Sequence, residues 1–111
     1  MAKRVLFLSD TIGSNEELGR ILMKNFIYSV ARNAESPSCL MFMNSAVRLV
    51  CEGSDSLDDI RILAENGVEV KACGTCLDFL NLKDQLAVGE IGNMVDGVEA
   101  LLGSSDVLTI A

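Results

Sequence analysis

Val68-Glu69-Val70-Lys71-Ala72-Cys73-Gly74-Thr75-Cys76-Leu77 decides how this chain is read, because it joins a β-branched run to a Cys-x-x-Cys turn. The pattern predicts a buried strand ending at Cys73, followed by a helix beginning at Thr75 or Cys76. A thiol there stands at the carboxyl end of a strand, where open α/β sheets keep their binding crevices. It also lies close to a helix N-terminus, whose unpaired N–H groups and positive dipole end favour the thiolate. Cys73 is the first candidate for reactivity. Strict alternation along the strand puts Lys71 on the same side as Cys73.

Upstream, Val5-Leu6-Phe7-Leu8 and Cys39-Leu40-Met41-Phe42-Met43 are short apolar runs closed by small polar residues, the pattern of strands buried on both faces. Between them, Ser14-Asn15-Glu16-Glu17 matches a capping box with Ser14 as the cap. Leu18, Ile21, Leu22, Phe26, Ile27 and Val30 then form one apolar helix face. Met23 and Tyr28 widen that face beyond what one sheet requires, which points to a second packing partner. Ala46 to Cys51 predicts one or two helical turns. Ser56 predicts the cap of another helix through Leu57, Ile60, Leu63 and Ala64, stopped at Asn66-Gly67.

Downstream of the cysteines, Leu77, Phe79, Leu80 and Leu82 predict a short helix, and Leu86 to Gly89 an irregular connection. Asn93 is the expected cap of a last helix ending at Gly103, and Val107 to Ile110 the expected last strand. Strands alternating with helices imply right-handed crossovers. The expected architecture is a three-layer α/β fold: an open, mainly parallel sheet of four to five strands with helices on both faces, residues 1–111 forming one domain.

Composition removes many function classes. The chain has 111 residues, 9 basic and 16 acidic, for a net charge of −7, and no stretch gathers basic with aromatic residues. Nucleic acid and anionic membranes are therefore poor electrostatic partners. Histidine is absent, which excludes Cys-His catalysis, Ser-His-Asp triads and His-ligated metal from this chain. The loop after the first strand has neither the P-loop pattern nor the dinucleotide Gly-x-Gly-x-x-Gly, so no nucleotide cofactor is expected. Lys3 and Arg4 precede an apolar run too short for a signal peptide. Four cysteines without such a signal point to reduced thiols in the cytoplasm. Half the residues are apolar and the mean hydropathy is +0.35, an excess whose natural destination is a subunit interface, so a homo-oligomer is expected.

In a parallel sheet the turns after successive strands meet along one edge. The candidate site therefore gathers Cys73 and Cys76 as reactive thiols, with Asp10, Thr11, Gly13, Asn44, Ser45, Gly74 and Thr75 as binding residues. Turn and cap duties account equally well for Asp10, Thr11, Gly13 and Ser14.

At these residues the sequence resembles the DsrE/DsrF-like sulfur-relay family, and within it the carboxyl-terminal domain of YedF-type sulfurtransferase-like proteins associated with selenium metabolism. The likeness rests on Ser9-Asp10-Thr11-Ile12-Gly13, Glu17-Leu18-Gly19, Phe42-Met43-Asn44-Ser45, Glu52-Gly53-Ser54, Gly67-Val68-Glu69, Cys73-Gly74-Thr75-Cys76-Leu77 and Val88-Gly89-Glu90 with Asn93-Met94. It covers nearly the whole chain. The resemblance implies oligomers and transfer of sulfur or selenium as a persulfide, or its selenium counterpart, on Cys73. YedF-type proteins usually carry an amino-terminal TusA-like domain with a Cys-Pro motif, to which nothing here corresponds, and Ala46 stands where glycine is expected. A separate TusA-like donor or acceptor is the partner this implies.

Other readings of the thiols stay open. Cys39 and Cys51 suit structural roles in apolar surroundings. Cys73 and Cys76 could supply two ligands of a zinc site, but Cys39 belongs to the opposite edge of the sheet, so a second subunit would have to complete it, and no metal is expected. The pair also suits a thioredoxin-like dithiol exchanger, although the companion proline of that chemistry has no candidate, since Pro37 precedes the second strand. A non-catalytic assembly module is the remaining alternative.

Overall fold

The computed structural model describes residues 3–103 and 106–111. Five strands form one all-parallel sheet: β1 (Arg4–Phe7), β2 (Cys39–Phe42), β3 (Glu69–Cys73), β4 (Glu90–Gly92) and β5 (Val107–Ile110), in the order β4-β3-β2-β1-β5. The helices are α1 (Glu16–Arg32), α2 (Leu57–Glu65), α3 (Gly74–Phe79) and α4 (Met94–Leu102). From β1 to β4 the chain steps three times in one direction. Right-handed connections therefore put α1, α2 and α3 on the same face. The return from β4 to β5 runs the other way across the sheet, so α4 lies on the opposite face. The expected α/β architecture is present, with its third layer reduced to a single nine-residue helix.

Period-two alternation sorts the strand residues accordingly. Val5, Phe7, Leu40, Phe42, Val70 and Ala72 enter the core beneath α1 and α2. Phe7 stacks on Phe42 at 4.8 Å between ring centroids and meets Phe26 of α1 edge-on at 6.0 Å. Central β2 is buried along its whole length, because α4 covers its other face through Cys39 and Met41. Asp59 of α2, almost fully buried, accepts a 2.9 Å hydrogen bond from Arg32, whose guanidinium also lies over the Tyr28 ring. That contact ties α1 to α2 and satisfies a carboxylate that would be costly to bury alone.

Several local expectations are corrected. Asn15, not Ser14, caps α1, its Oδ1 accepting from the Leu18 N–H at 2.9 Å. The loop enters the helix late because Ile12 and Gly13 are held first, by the carbonyls of Gly19 and Ala111. The buried stripe of α1 runs through Gly19, Met23 and Ile27, leaving Leu18, Ile21 and Leu22 exposed, since the sheet has room for one stripe only. Ser56 precedes α2 without a side-chain cap bond, and α3 starts one residue early, at Gly74. Residues 44–50 form a 3-10 segment. Strand β4, three residues with an exposed pattern, lies in a stretch for which no strand was expected. Asn93 does cap α4, accepting from the Asp96 N–H at 2.8 Å. Among the described residues, no helix is long and apolar enough to cross a membrane.

Gly19 is where α1 rests on the loop after β1. A Cβ there would lie 2.6 Å from the Ile12 carbonyl oxygen and 3.0 Å from Cβ of Thr11. Helix propensity alone makes Gly19→Ala stabilising by about 1 kcal/mol, whereas forcing main chain apart costs about 1–3 kcal/mol. The expected net effect in urea denaturation is a loss of roughly 1 kcal/mol. A variant more stable than the parent would mean that the loop yields freely.

Candidate functional site

Alternation along β3 sends Val70 and Ala72 into the core and turns Lys71 and Cys73 to the α4 face. Cys73 is the last strand residue and also the N-cap of α3, but its side chain caps none of the α3 amides. The thiol instead lines a partly enclosed cavity of about 140 Å³ between the sheet and α4, shared with Met41, Met43, Lys71, Asn93 and Asp96. The Lys71 ammonium stands 3.7 Å from Glu90 on the neighbouring strand.

Cys76, one turn into α3, lies on the loop side with Cys73 as a neighbouring thiol. Its sulfur also accepts the Asn44 N–H at 3.1 Å. Asn44 adopts φ 55°, a left-handed conformation that asparagine tolerates, and its Oδ1 accepts from the Ser45 N–H at 2.8 Å. Ser45 Oγ in turn accepts from the Asp10 N–H at 3.3 Å. The loops after β1, β2 and β3 are thus joined in one hydrogen-bonded series from Asp10 to Cys76. Thr11 is engaged within its own loop, with its N–H and hydroxyl both on Ser9. Thr75 is exposed on the first turn of α3, while Gly74 lets Ile91 pack where a side chain would stand. Gly13 is not brought to the thiols: its N–H reaches the Ala111 carbonyl, past the end of β5 and three strands from β3.

Burial separates the sulfurs. It pushes the Cys76 thiol up, the neighbouring Cys73 thiol acts in the same direction, and the Asn44 N–H opposes both. Cys76 is therefore a thiol that tends to keep its proton. Cys39 is pushed from 9.0 to about 11, first by burial and then by the nearby Glu69 carboxylate. Cys51, also raised by burial, donates to the Val47 carbonyl at 3.2 Å. Cys39 stands at the amino end of the sheet as expected, yet it lines the same cavity as Cys73. Among the described residues, no group of three or more Cys, Asp or Glu side chains is placed to hold a metal ion.

Asn93, Asp96 and Gly97 are among the cavity residues that lie outside the predicted site, and Asn93 is expected only as a helix cap. Their membership depends on α4 crossing back over the sheet, and that in turn depends on β4, whose Glu-Ile-Gly carries little strand signal.

No family model and no curated protein matches the chain. Solved structures do. The ychN protein of E. coli, a DsrE-like protein, superposes with a TM-score of 0.74 at 22% identity, over 99% of this chain and 100% of that one. A conserved protein of unknown function from Bacteroides thetaiotaomicron gives 0.66 at 14% identity, over 97% and 95% of the two chains. Another from Methanobacterium thermoautotrophicum gives 0.64 at 19% identity, over 96% and 98%. These likenesses show a DsrE-like fold.

The Cys39 shift makes a signed prediction. Between pH 9.0 and about 11 the folded protein retains a proton at Cys39 that the unfolded chain releases, so stability falls as pH rises through that window. Two pKa units correspond to at most about 2–3 kcal/mol. In denaturant titrations across this range, Cys39→Ser should show a shallower decline than the parent, with Cys51 and Cys76 responsible for the remainder. Identical slopes would show that Cys39 ionises as freely in the folded chain as in the unfolded one.

Proposed function

We propose that the protein is a cysteine-dependent carrier of sulfur or selenium, with Cys73 as the acceptor. The observation that carries this reading is the setting of Cys73 at the end of β3, lining a cavity beside α4 and with Cys76 as a neighbouring thiol. In the loading step the Cys73 thiolate attacks the outer sulfur of a donor persulfide. One S–S bond forms, the donor S–S bond breaks, and the donor thiolate leaves with the electron pair, so the exchange needs no oxidant or metal. The chain offers no histidine as a base, and Lys71, on the same face of β3 as Cys73, has its ammonium 3.7 Å from Glu90.

Cys76 has a different part. Attack by its thiolate on the inner sulfur would form a Cys73–Cys76 disulfide and release hydrosulfide. Because burial keeps Cys76 protonated, that discharge is slow and the persulfide persists until an acceptor thiolate takes the outer sulfur. The DsrE-like fold supports the relay reading by analogy. The resemblance to YedF-type proteins extends it to selenium and to a TusA-like carrier as donor or acceptor.

A dithiol exchanger is the second reading, favoured by the Cys-x-x-Cys spacing that makes Cys73 and Cys76 neighbours. Intact mass and peptide mapping after incubation with a persulfide donor separate the two. The carrier reading requires one added sulfur on Cys73, lost in Cys73→Ser and retained or longer-lived in Cys76→Ser. Unchanged loading in Cys73→Ser would refute it. Efficient reduction of insulin by the parent, abolished by either substitution, would favour dithiol exchange.

A further inference from the structure

The chain has nine glycines, and seven have a local reason to be glycine. Gly13, Gly53, Gly67 and Gly89 hold positive φ, and a Cβ at Gly19, Gly74 or Gly103 would come within 3.0 Å of a neighbouring atom. Gly92 and Gly97 have neither reason. A Cβ at Gly92 would rest 3.5 Å from Cβ of Lys71, and one at Gly97 would rest 3.6 and 3.7 Å from the Cε atoms of Met41 and Met43, all ordinary contacts. Glycine inside a strand or helix is locally unfavourable, and yet both positions keep it. Both line the cavity beside Cys73, Gly92 directly opposite Cys73 in the β3–β4 ladder and Gly97 from α4 above. These two glycines keep side-chain volume out of the cavity that Cys73 also lines.

That space is larger than a single persulfide sulfur needs. At about 140 Å³ it is several times what one water-sized atom requires. We infer that the cavity is a chamber for a sulfane chain, so that Cys73 carries two or more sulfur atoms in line; this rests on the carrier reading of Cys73. The thioethers of Met41 and Met43 give the chamber apolar walls, and its charged lining is mixed, with Arg4 and Lys71 against Glu69 and Asp96. Cys76 lies outside the lining, so a chain directed into the chamber is turned away from the thiol that would discharge it. Cys39 lines the chamber but holds its proton up to about pH 11, so it does not intercept the chain. Each lengthening step is redox-neutral: the terminal sulfur anion attacks a sulfane sulfur of a polysulfide, one S–S bond forms, one breaks, and a shortened polysulfide leaves with the electron pair.

The test uses the full chain incubated with excess inorganic polysulfide, desalted, and examined by non-reducing intact mass and peptide mapping. The parent should carry two or more sulfur atoms on Cys73. Gly92→Val and Gly97→Leu, which fill the chamber from two separate elements, should each fall to one, while Gly97→Ala should stay near the parent. A folding failure in one filled variant, read by circular dichroism, leaves the other to decide. A parent limited to one sulfur overturns the chamber and leaves the carrier reading standing. Filled variants that still carry two or more also overturn it, since the chain would then lie elsewhere. No sulfur on Cys73 in any protein removes the carrier reading, and the chamber with it.

Discussion

The handedness of parallel crossovers governs this molecule. With strands ordered β4-β3-β2-β1-β5, three successive connections must lie on one face and the single return on the other. Three helices and two 3-10 segments, residues 44–50 and 83–85, therefore lie on one side, while the other receives only α4 among the described residues. A helix lying along the strands covers about 10–12 Å of sheet width, and five strands spaced about 4.8 Å apart are about 19 Å across. Incomplete cover follows from those widths. The cavity beside Cys73 is the part of the uncovered face that α4 roofs without filling.

The same constraint sorts four chemically identical side chains into different roles. Cys39 and Cys73 share the α4 face, but Cys39 is buried beside a carboxylate and Cys73 is half-exposed at the strand end. Cys51 is sealed in the core against the Val47 carbonyl. Cys76 hangs between the β2 loop and Cys73, held by a backbone N–H that only the left-handed Asn44 can aim at it. Nothing about cysteine itself distinguishes these four. Desolvation and neighbouring charge do.

Much of the fold was legible in local pattern. Val5 to Phe7, Cys39 to Phe42, Glu69 to Cys73 and Val107 to Ile110 are strands where apolar and β-branched runs predict them, but only β2 is buried on both faces, β1 and β3 burying one face and β5 neither. Asn93 and Gly67 mark helix boundaries for stereochemical reasons that act within a few residues. The convergence of Asp10, Ser45, Asn44 and Cys76 was also foreseeable, since parallel strands put successive loops at one edge. Gly13 escaped that logic: β5, last in sequence, sits beside β1 and draws the Gly13 N–H to its own end.

By itself, then, the sequence determined the element types, the loop edge at which the thiols stand and the chemistry unavailable without histidine, because each follows from residue type and short-range spacing. Tertiary structure decided which stripe of α1 is buried, which face Cys73 serves and what roofs it. Those outcomes depend on a three-residue strand and on the direction of one return crossover, which are contacts between segments far apart in the chain that no local periodicity encodes.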